Sequence, residues 1–311
     1  MHREDDVGRV LQTSARSGIT GYDLVFAAPR AVSILLAVDP AAGPALVAAQ
    51  RASVGAALSY LERRALVVPT TRWGERFGAP ASWSAVVSFT HGINRAGEPH
   101  LHDHVLVGAR PDGHAGVLDG QALRTHLPAA DALYRAALRE EVKLATTWRV
   151  WSQRGHEHVS DLDEGYRALW PGHEDERLPK HHWTRSGALG HWRDDLQRMT
   201  PIALVSPPTE RDFDPHAYAA AFEGALTIHR SDLVRAWADA SPYGARPDEI
   251  DEAIDRVHPM LRYERGRPRR PLTVAEARRT VGRGRELEVD VADGAQRART
   301  ARSSSRALDL R

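Results

Sequence analysis

The sequence contains no cysteine. Disulfides, thiolate-held zinc and a cysteine nucleophile are therefore excluded, and any metal must be held by histidine or carboxylate. Lysine is nearly as scarce: Lys143 and Lys180 are the two lysines among 42 basic residues. Arginine's planar fork suits phosphate, although an arginine excess also follows from genome composition. No run approaches ~20 apolar residues, and the greasiest stretch, 24–38, is cut by Pro29 and Arg30. The start is polar and acidic, unlike a secretory leader. The chain therefore reads as cytoplasmic, with no membrane insertion. It also lacks the Gly-x-x-x-x-Gly-Lys-Ser/Thr loop that cradles nucleotide phosphates.

What is present suffices for one large domain or two smaller ones: 311 residues, 42% apolar and 27% charged. The net charge of +1 hides an asymmetry. Residues 262–311 hold 14 arginines against 7 acids, so +7, which leaves −6 for the rest. A mildly acidic body argues against strong independent affinity for a polyanion. The basic end is Ala/Arg/Ser-rich and reads as a disordered tail able to cling to nucleic acid.

Periodicity places the elements. Residues 22–26 read as a strand closed by Pro29, and 44–66 as a helix with Leu46, Val54, Ala57 and Leu61 on its inner stripe. Residues 83–91 and 100–107 alternate as two strands of an antiparallel pair, joined by a Gly92–Pro99 turn, with a short strand at 115–118. Pro128 is read as the opening of a helix over 129–148, with Leu133, Leu138, Val142 and Leu144 buried. One or two strands over 150–163 precede a helix over 164–170, and 171–215 shows no period. Helices over 227–238 and 246–257 and a hairpin over 261–274 form a winged-helix-like unit. The acids Asp248, Glu249, Asp251, Glu252 and Asp255 on its second helix would oppose phosphates. The domain reading is a loose lead-in over 1–20, a main domain over 21–200, a small helical unit over 201–280 and the tail over 281–311.

The chemistry concentrates in one segment. His100, His102 and His104 occupy alternate positions of a strand and so share a face. His100 and His104 lie roughly 13 Å apart along that strand, too far for imidazole–metal bonds of about 2.0–2.1 Å. In a hairpin, His91 on the facing strand comes within reach of His102 and His104. Geometry thus favours His91, His102 and His104 as a metal set, with His100 as a neighbour. Three neutral nitrogens leave positions open for a substrate oxygen. On spacing alone, an oxygenase, a hydrolase and adventitious binding all stay open. Asp23, on an apolar strand, is a candidate carboxylate to accept the free N–H of a ligand histidine.

The segment Gly21-Tyr-Asp-Leu-Val-Phe-Ala-Ala-Pro-Arg30-Ala-Val-Ser33 resembles a signature of conjugative relaxases of the TrwC/MobF class, three-histidine HUH endonucleases. His91, ten residues, then His102-Asp-His104 matches their histidine spacing, and the helix containing Tyr134-Arg-Ala-Ala-Leu-Arg-Glu-Glu is similar to the family's next segment. The resemblance spans about residues 20–170. It implies an α+β fold, a palm-like antiparallel sheet with flanking helices. It also implies a divalent ion (Mg²⁺ or Mn²⁺, with Zn²⁺ open) on His91, His102 and His104, and Asp23 orienting a ligand or assisting proton removal. The substrate implied is single-stranded DNA at an origin of transfer, with other conjugation proteins as possible partners. In such enzymes a tyrosine attacks a DNA phosphate and stays joined to the 5′ end.

The sequence departs from that pattern. The family's nucleophilic tyrosines precede the Asp-containing strand, whereas here Tyr22 is the first tyrosine, so the chain reads as N-terminally shortened. Tyr22, which faces away from Asp23 on a strand, and Tyr134, which has a core register, are the remaining candidates; the nucleophile stays unassigned. Arg30 stands for the usual lysine and Arg95 is retained, both as candidate DNA contacts. A non-catalytic DNA- or partner-binding accessory protein, and a His-ligated hydrolase or oxygenase, are the competing readings.

Overall fold

The computed structural model describes residues 20–257, apart from 73, 154–155, 172–182, 205–206, 208–212 and 223–226, together with residues 272–273. The lead-in over 1–19, the 281–311 tail and most of the 261–274 hairpin lie outside the described residues.

Two-residue alternation builds the central sheet. β1 (Gly21–Ala27), β4 (Val86–Ile93) and β5 (Pro99–Gly108) form an antiparallel sheet in the order β1-β5-β4. Along β5 every odd residue from Leu101 to Val107 is buried and every even residue is half-exposed. Leu24 and Phe26 of β1 turn to the same inner face, while Asp23, Val25 and Ala27 turn outward. One face therefore packs and the other meets solvent.

Helices cover the inner face. After Pro29, α1 (Arg30–Val38) is apolar nearly all round and buried accordingly. Its Ser33 Oγ accepts the Leu101 N–H at 3.0 Å, fixing α1 to β5. α2 (Gly43–Arg64) starts with a proline in its first turn and ends on Arg63 and Arg64, whose charge suits a helix C-terminus. Its buried Gln50 donates to the Phe26 carbonyl at 2.9 Å and accepts from the Tyr134 hydroxyl at 2.6 Å, so this polar group in the core is satisfied.

α3 (Gly120–Ala145) corrects the position of its start. Asp119 caps it by accepting from the N–H groups of Gln121 and Ala122, and Pro128 lies inside it rather than opening it. Asp119 supplies the cap for the earlier start, and Leu123, ahead of the proline, is buried, so capping and packing together carry the helix through Pro128. Leu133, Leu138 and Val142 are buried as expected, but Leu144, in the last turn, is 57% exposed. Residues 115–118 form no strand; the stretch is held by the Leu118 N–H on the Ala109 carbonyl at 2.8 Å. A hairpin that periodicity does not show, β2 (Val67–Arg72) with β3 (Glu75–Pro80), stands apart from the main sheet.

β6 (Val150–Gln153) and β7 (His156–Val159) pair as a hairpin, followed by α4 (Gly165–Leu169) and α5 (Arg185–Leu196). Further on come α6 (Pro215–Ala220), β8 (Thr227–Ile228), α7 (Arg230–Asp239), α8 (Pro247–Val257) and β9 (Leu272–Thr273), with β8 pairing β9. Val234, Trp237, Ile250 and Ile254 of α7 and α8 join the same hydrophobic cluster as Leu133 and Leu138 of α3. Arg139 of α3, 3% exposed, donates to the carbonyls of Ala238 and Ser241 at 3.1 and 3.0 Å and pairs with Glu157 at 3.2 Å. The acids of α8 are partly neutralised at home: Asp251 meets Arg230 at 3.0 Å and Arg64 at 3.4 Å.

Candidate metal centre

The β4–β5 pairing brings the histidines together. His91 is the direct cross-strand partner of His102, and Phe89 is that of His104. Just beyond this pair the register shifts between His91 and Ile93, so β4 runs two residues past His91 before the turn. His91 and His102 are therefore the last regular pair of the ladder. One ligand nitrogen on each of His91, His102 and His104 lies within 4.8 Å of the others. Their ring centroids are 5.1 to 5.5 Å apart.

Two of the three rings are oriented from behind. The His104 Nδ1–H donates to Asp23, with Oδ2 at 3.0 Å and Oδ1 at 3.2 Å. Asp23 is the register partner of Leu106, so it reaches His104 across one diagonal of the β1–β5 ladder. The His102 Nδ1–H donates to the His100 carbonyl at 2.9 Å. With both Nδ1 atoms acting as donors, the lone pairs sit on Nε2, the tautomer a metal needs. The nitrogens of one ion's imidazoles stand about 3.0–3.4 Å apart given bonds of ~2.1 Å, so small ring rotations would close this set. Burial pushes the His102 pKa down to about 4, against the weaker pull of the His100 carbonyl. The residues fit a divalent cation.

The His100 ring lies against that of His102, tilted by 42° with centroids 4.6 Å apart, and His100 contributes its carbonyl to the site. That carbonyl is a group the spacing does not reveal, because a backbone acceptor leaves no residue-type signal.

The other sequence-predicted residues fall elsewhere. Tyr134 is fully buried on the opposite side of the sheet, its hydroxyl on Gln50 and its pKa raised well above the ordinary value by burial. Tyr22 faces the helices, with its hydroxyl against Gly120 and its pKa raised by burial. Arg30 donates to the Trp170 carbonyl. Arg95 is exposed on the β4–β5 turn, the one of these four on the hairpin that carries the histidines. Asp103, between the two ligand candidates of β5, is fully buried beneath the sheet, with Oδ1 at 3.5 Å from the Ser88 hydroxyl.

An antiparallel sheet backed by helices on one face, presenting three convergent imidazoles on the other, defines the class of histidine-ligated metal proteins. The family comparison agrees. A model of the TrwC relaxase family matches residues 2–170, just over half of the 311 residues. The chain belongs to the TrwC relaxase family, whose role is the DNA processing of conjugation. The match begins upstream of the Gly21–Ser33 motif that carries the resemblance in the sequence.

Solved structures of the conjugative relaxase TrwC are similar to this chain at 18% identity and a TM-score of 0.49. In one, TrwC is in complex with mutant oriT DNA (60% of this chain, 78% of that one). In another, it is complexed with a 27-mer comprising the recognition hairpin and the cleavage site (64% and 79%). A third is a metal-bound complex with oriT DNA (64% and 77%). No curated protein matches the chain. Among the described residues, no helix is long and apolar enough to cross a membrane.

Proposed function

We propose that the outer face of the β1-β5-β4 sheet is a relaxase metal centre acting on single-stranded DNA at an origin of transfer, in the cytoplasm. His91, His102 and His104 would hold a divalent ion, Mg²⁺ or Mn²⁺ in preference to Zn²⁺, and Asp23 would orient His104. The supporting observation is the convergence of three imidazoles from two strands, with Asp23 3.0 Å behind one of them. The ion's contribution, once bound, is to polarise the phosphate oxygens and stabilise charge developing on them.

The chain's own residues do the rest. Asp23 and the His100 carbonyl each accept an Nδ1–H, which fixes both neutral rings in the tautomer whose lone pair is on Nε2. Three neutral ligands add no negative charge, so the centre favours a phosphodiester. Arg95, exposed on the hairpin turn, would meet the strand's backbone. In transesterification a tyrosyl oxygen bonds to phosphorus, the 3′ oxygen leaves, and the 5′ phosphotyrosine can be reversed to rejoin the strand. Of the described tyrosines, Tyr22 faces the helices, Tyr60, Tyr134 and Tyr243 are buried, and Tyr166 and Tyr218, partly buried, pack against the hydrophobic core. The attacking hydroxyl is therefore assigned to a group outside the described residues. Residues 201–280 are read as an accessory helical unit, and 281–311 as a basic tail adding sequence-independent affinity.

The test combines Mn²⁺ titration with labelled single-stranded oligonucleotides tiled across the flanking DNA of the chain's own gene. One Mn²⁺ should bind per chain, and His102→Ala or His104→Ala should abolish both that binding and metal-dependent DNA retention. An intact Mn²⁺ affinity in both variants defeats the assignment. A covalent DNA adduct mapped to Tyr22 or Tyr134 defeats the placement of the nucleophile.

A further inference from the structure

The β4–β5 hairpin carries all three candidate ligands, and its far end is held by very little of the sheet. Beyond the His91–His102 pair there is a register shift, the Ile93–Pro99 pair and then the turn. The turn satisfies itself internally: Glu98 N–H donates to Asn94 Oδ1 at 2.9 Å, and Asn94 Nδ2 donates to Glu98 Oε2 at 2.7 Å. The Gly97 carbonyl accepts the indole N–H of Trp192 at 2.7 Å, a buried bond from α5. Trp183, just before α5, packs on the same glycine so closely that a Cβ there would lie 2.7 Å from its ring. Gly97 also has φ +86°, a conformation glycine adopts freely.

α5 is in turn tied to the other half of the site. The Trp170 indole donates to Asp195 of α5 at 3.0 Å. The Trp170 carbonyl accepts from Arg30, the first residue of α1, which follows directly on β1 and its Asp23. A continuous path therefore runs from the histidine hairpin through Trp192, Asp195, Trp170 and Arg30 to the Asp23 strand. Its Trp192 and Asp195 lie beyond the family match, which ends at 170.

We infer that Trp192 and Arg30 are positioning residues, joined through α5 into a brace that fixes the His91–His102 spacing and so sets metal affinity. Arg30 acts here through the Trp170 carbonyl. The inference rests on the metal centre proposed above. Its physical basis is that three ligands must close on one ion within tenths of an ångström, whereas the hairpin end has few ladder bonds to hold it there.

The experiment is Mn²⁺ binding to the full chain, with apo thermal stability measured in parallel. Trp192→Phe keeps an aromatic ring but removes the bond to Gly97. Trp148→Phe is the matched control: its indole donates to Asp39 at 2.9 Å, away from α5 and the hairpin. Trp192→Phe should weaken Mn²⁺ binding about tenfold, the lower end of what orienting partners of metal ligands contribute. Trp148→Phe should leave it unchanged at a similar loss of apo stability. Arg30→Gln should weaken binding in the same direction and serves if Trp192→Phe does not fold. Equal Mn²⁺ affinity in wild type, Trp192→Phe and Arg30→Gln refutes the brace while leaving the metal centre standing. A wild-type chain that binds no Mn²⁺ removes the centre and the brace with it.

Discussion

Replacing Asp23 by asparagine separates the charge of this residue from its geometry. The amide would keep an acceptor near the His104 Nδ1–H, so what is lost is the negative charge behind the ring. Carboxylates that orient metal-bound histidines contribute about 10- to 100-fold in affinity. The structure places this pair at the lower end, because the Asp23 side chain is 47% exposed and that of His104 36% exposed. Water screens such a pair strongly. The expected loss for Asp23→Asn is thus about tenfold in Mn²⁺ Kd, or about 1.4 kcal/mol. Asp23→Ala should lose somewhat more, since water must then replace the acceptor. Because the effect is electrostatic and exposed, it should shrink as salt rises from about 0.1 M, where the screening length is about 10 Å, toward about 1 M, where it is about 3 Å. Calorimetric titration of Mn²⁺ at both salt concentrations reads it directly. An Asp23→Asn protein with wild-type Kd at low salt would refute the carboxylate's role, and a salt-independent loss would show that the charge is not its source.

The core makes its own predictions. Arg139→Met leaves Glu157 the longer Arg135 contact, at 4.0 Å, and the Ala238 and Ser241 carbonyls without their donor; urea unfolding should show a loss of about 3 kcal/mol, the lower end for broken buried pairs. Tyr134→Phe removes the donor to Gln50 and should cost about 1 kcal/mol in the same assay, while leaving any DNA adduct undiminished. Burial, with the nearby Arg64 and His229, holds His126 down to about 4. An unfolded histidine takes up its proton near 6.5, so stability present above pH 6.5 is lost as pH falls toward 4, by at most about 3 kcal/mol. His126→Gln should flatten that part of the pH–stability curve, and an unaltered slope would count against the assignment.

Some of this architecture is legible in the residues, and the reasons are physical. The H-x-H alternation is informative because a strand's period is two whatever its surroundings, so the three histidines of β5 have to share a face. His91 follows because a short turn fixes cross-strand register. Asp23 is harder. Its identity as a partner depends on β1 lying beside β5, a long-range pairing that no local pattern encodes. The start of α3 is misplaced in the sequence reading because proline in a first turn and proline inside a helix look alike there; the Asp119 cap decides it. α1 reads as an interrupted greasy stretch because Arg30 breaks the apolar run at its start and almost every later position is apolar, leaving no broad polar face to mark a helix.

The same face logic governs where chemistry can occur on this sheet. The inner face is filled by Leu101, Val105 and Val107 packed beneath the helices, so no substrate reaches it. Any hydroxyl buried there, Tyr134 included, is separated from the imidazoles by the thickness of the sheet. A nucleophile must therefore arrive over the outer face. There Val25, 54% exposed, is the cross-strand partner of His104, and Phe89 flanks the same ring from β4. This outer surface sets apolar side chains beside the nitrogen ligands, with the Asp23 carboxylate behind His104. It suits a strand that presents unpaired bases and a phosphate together, as single-stranded DNA does and a duplex does not.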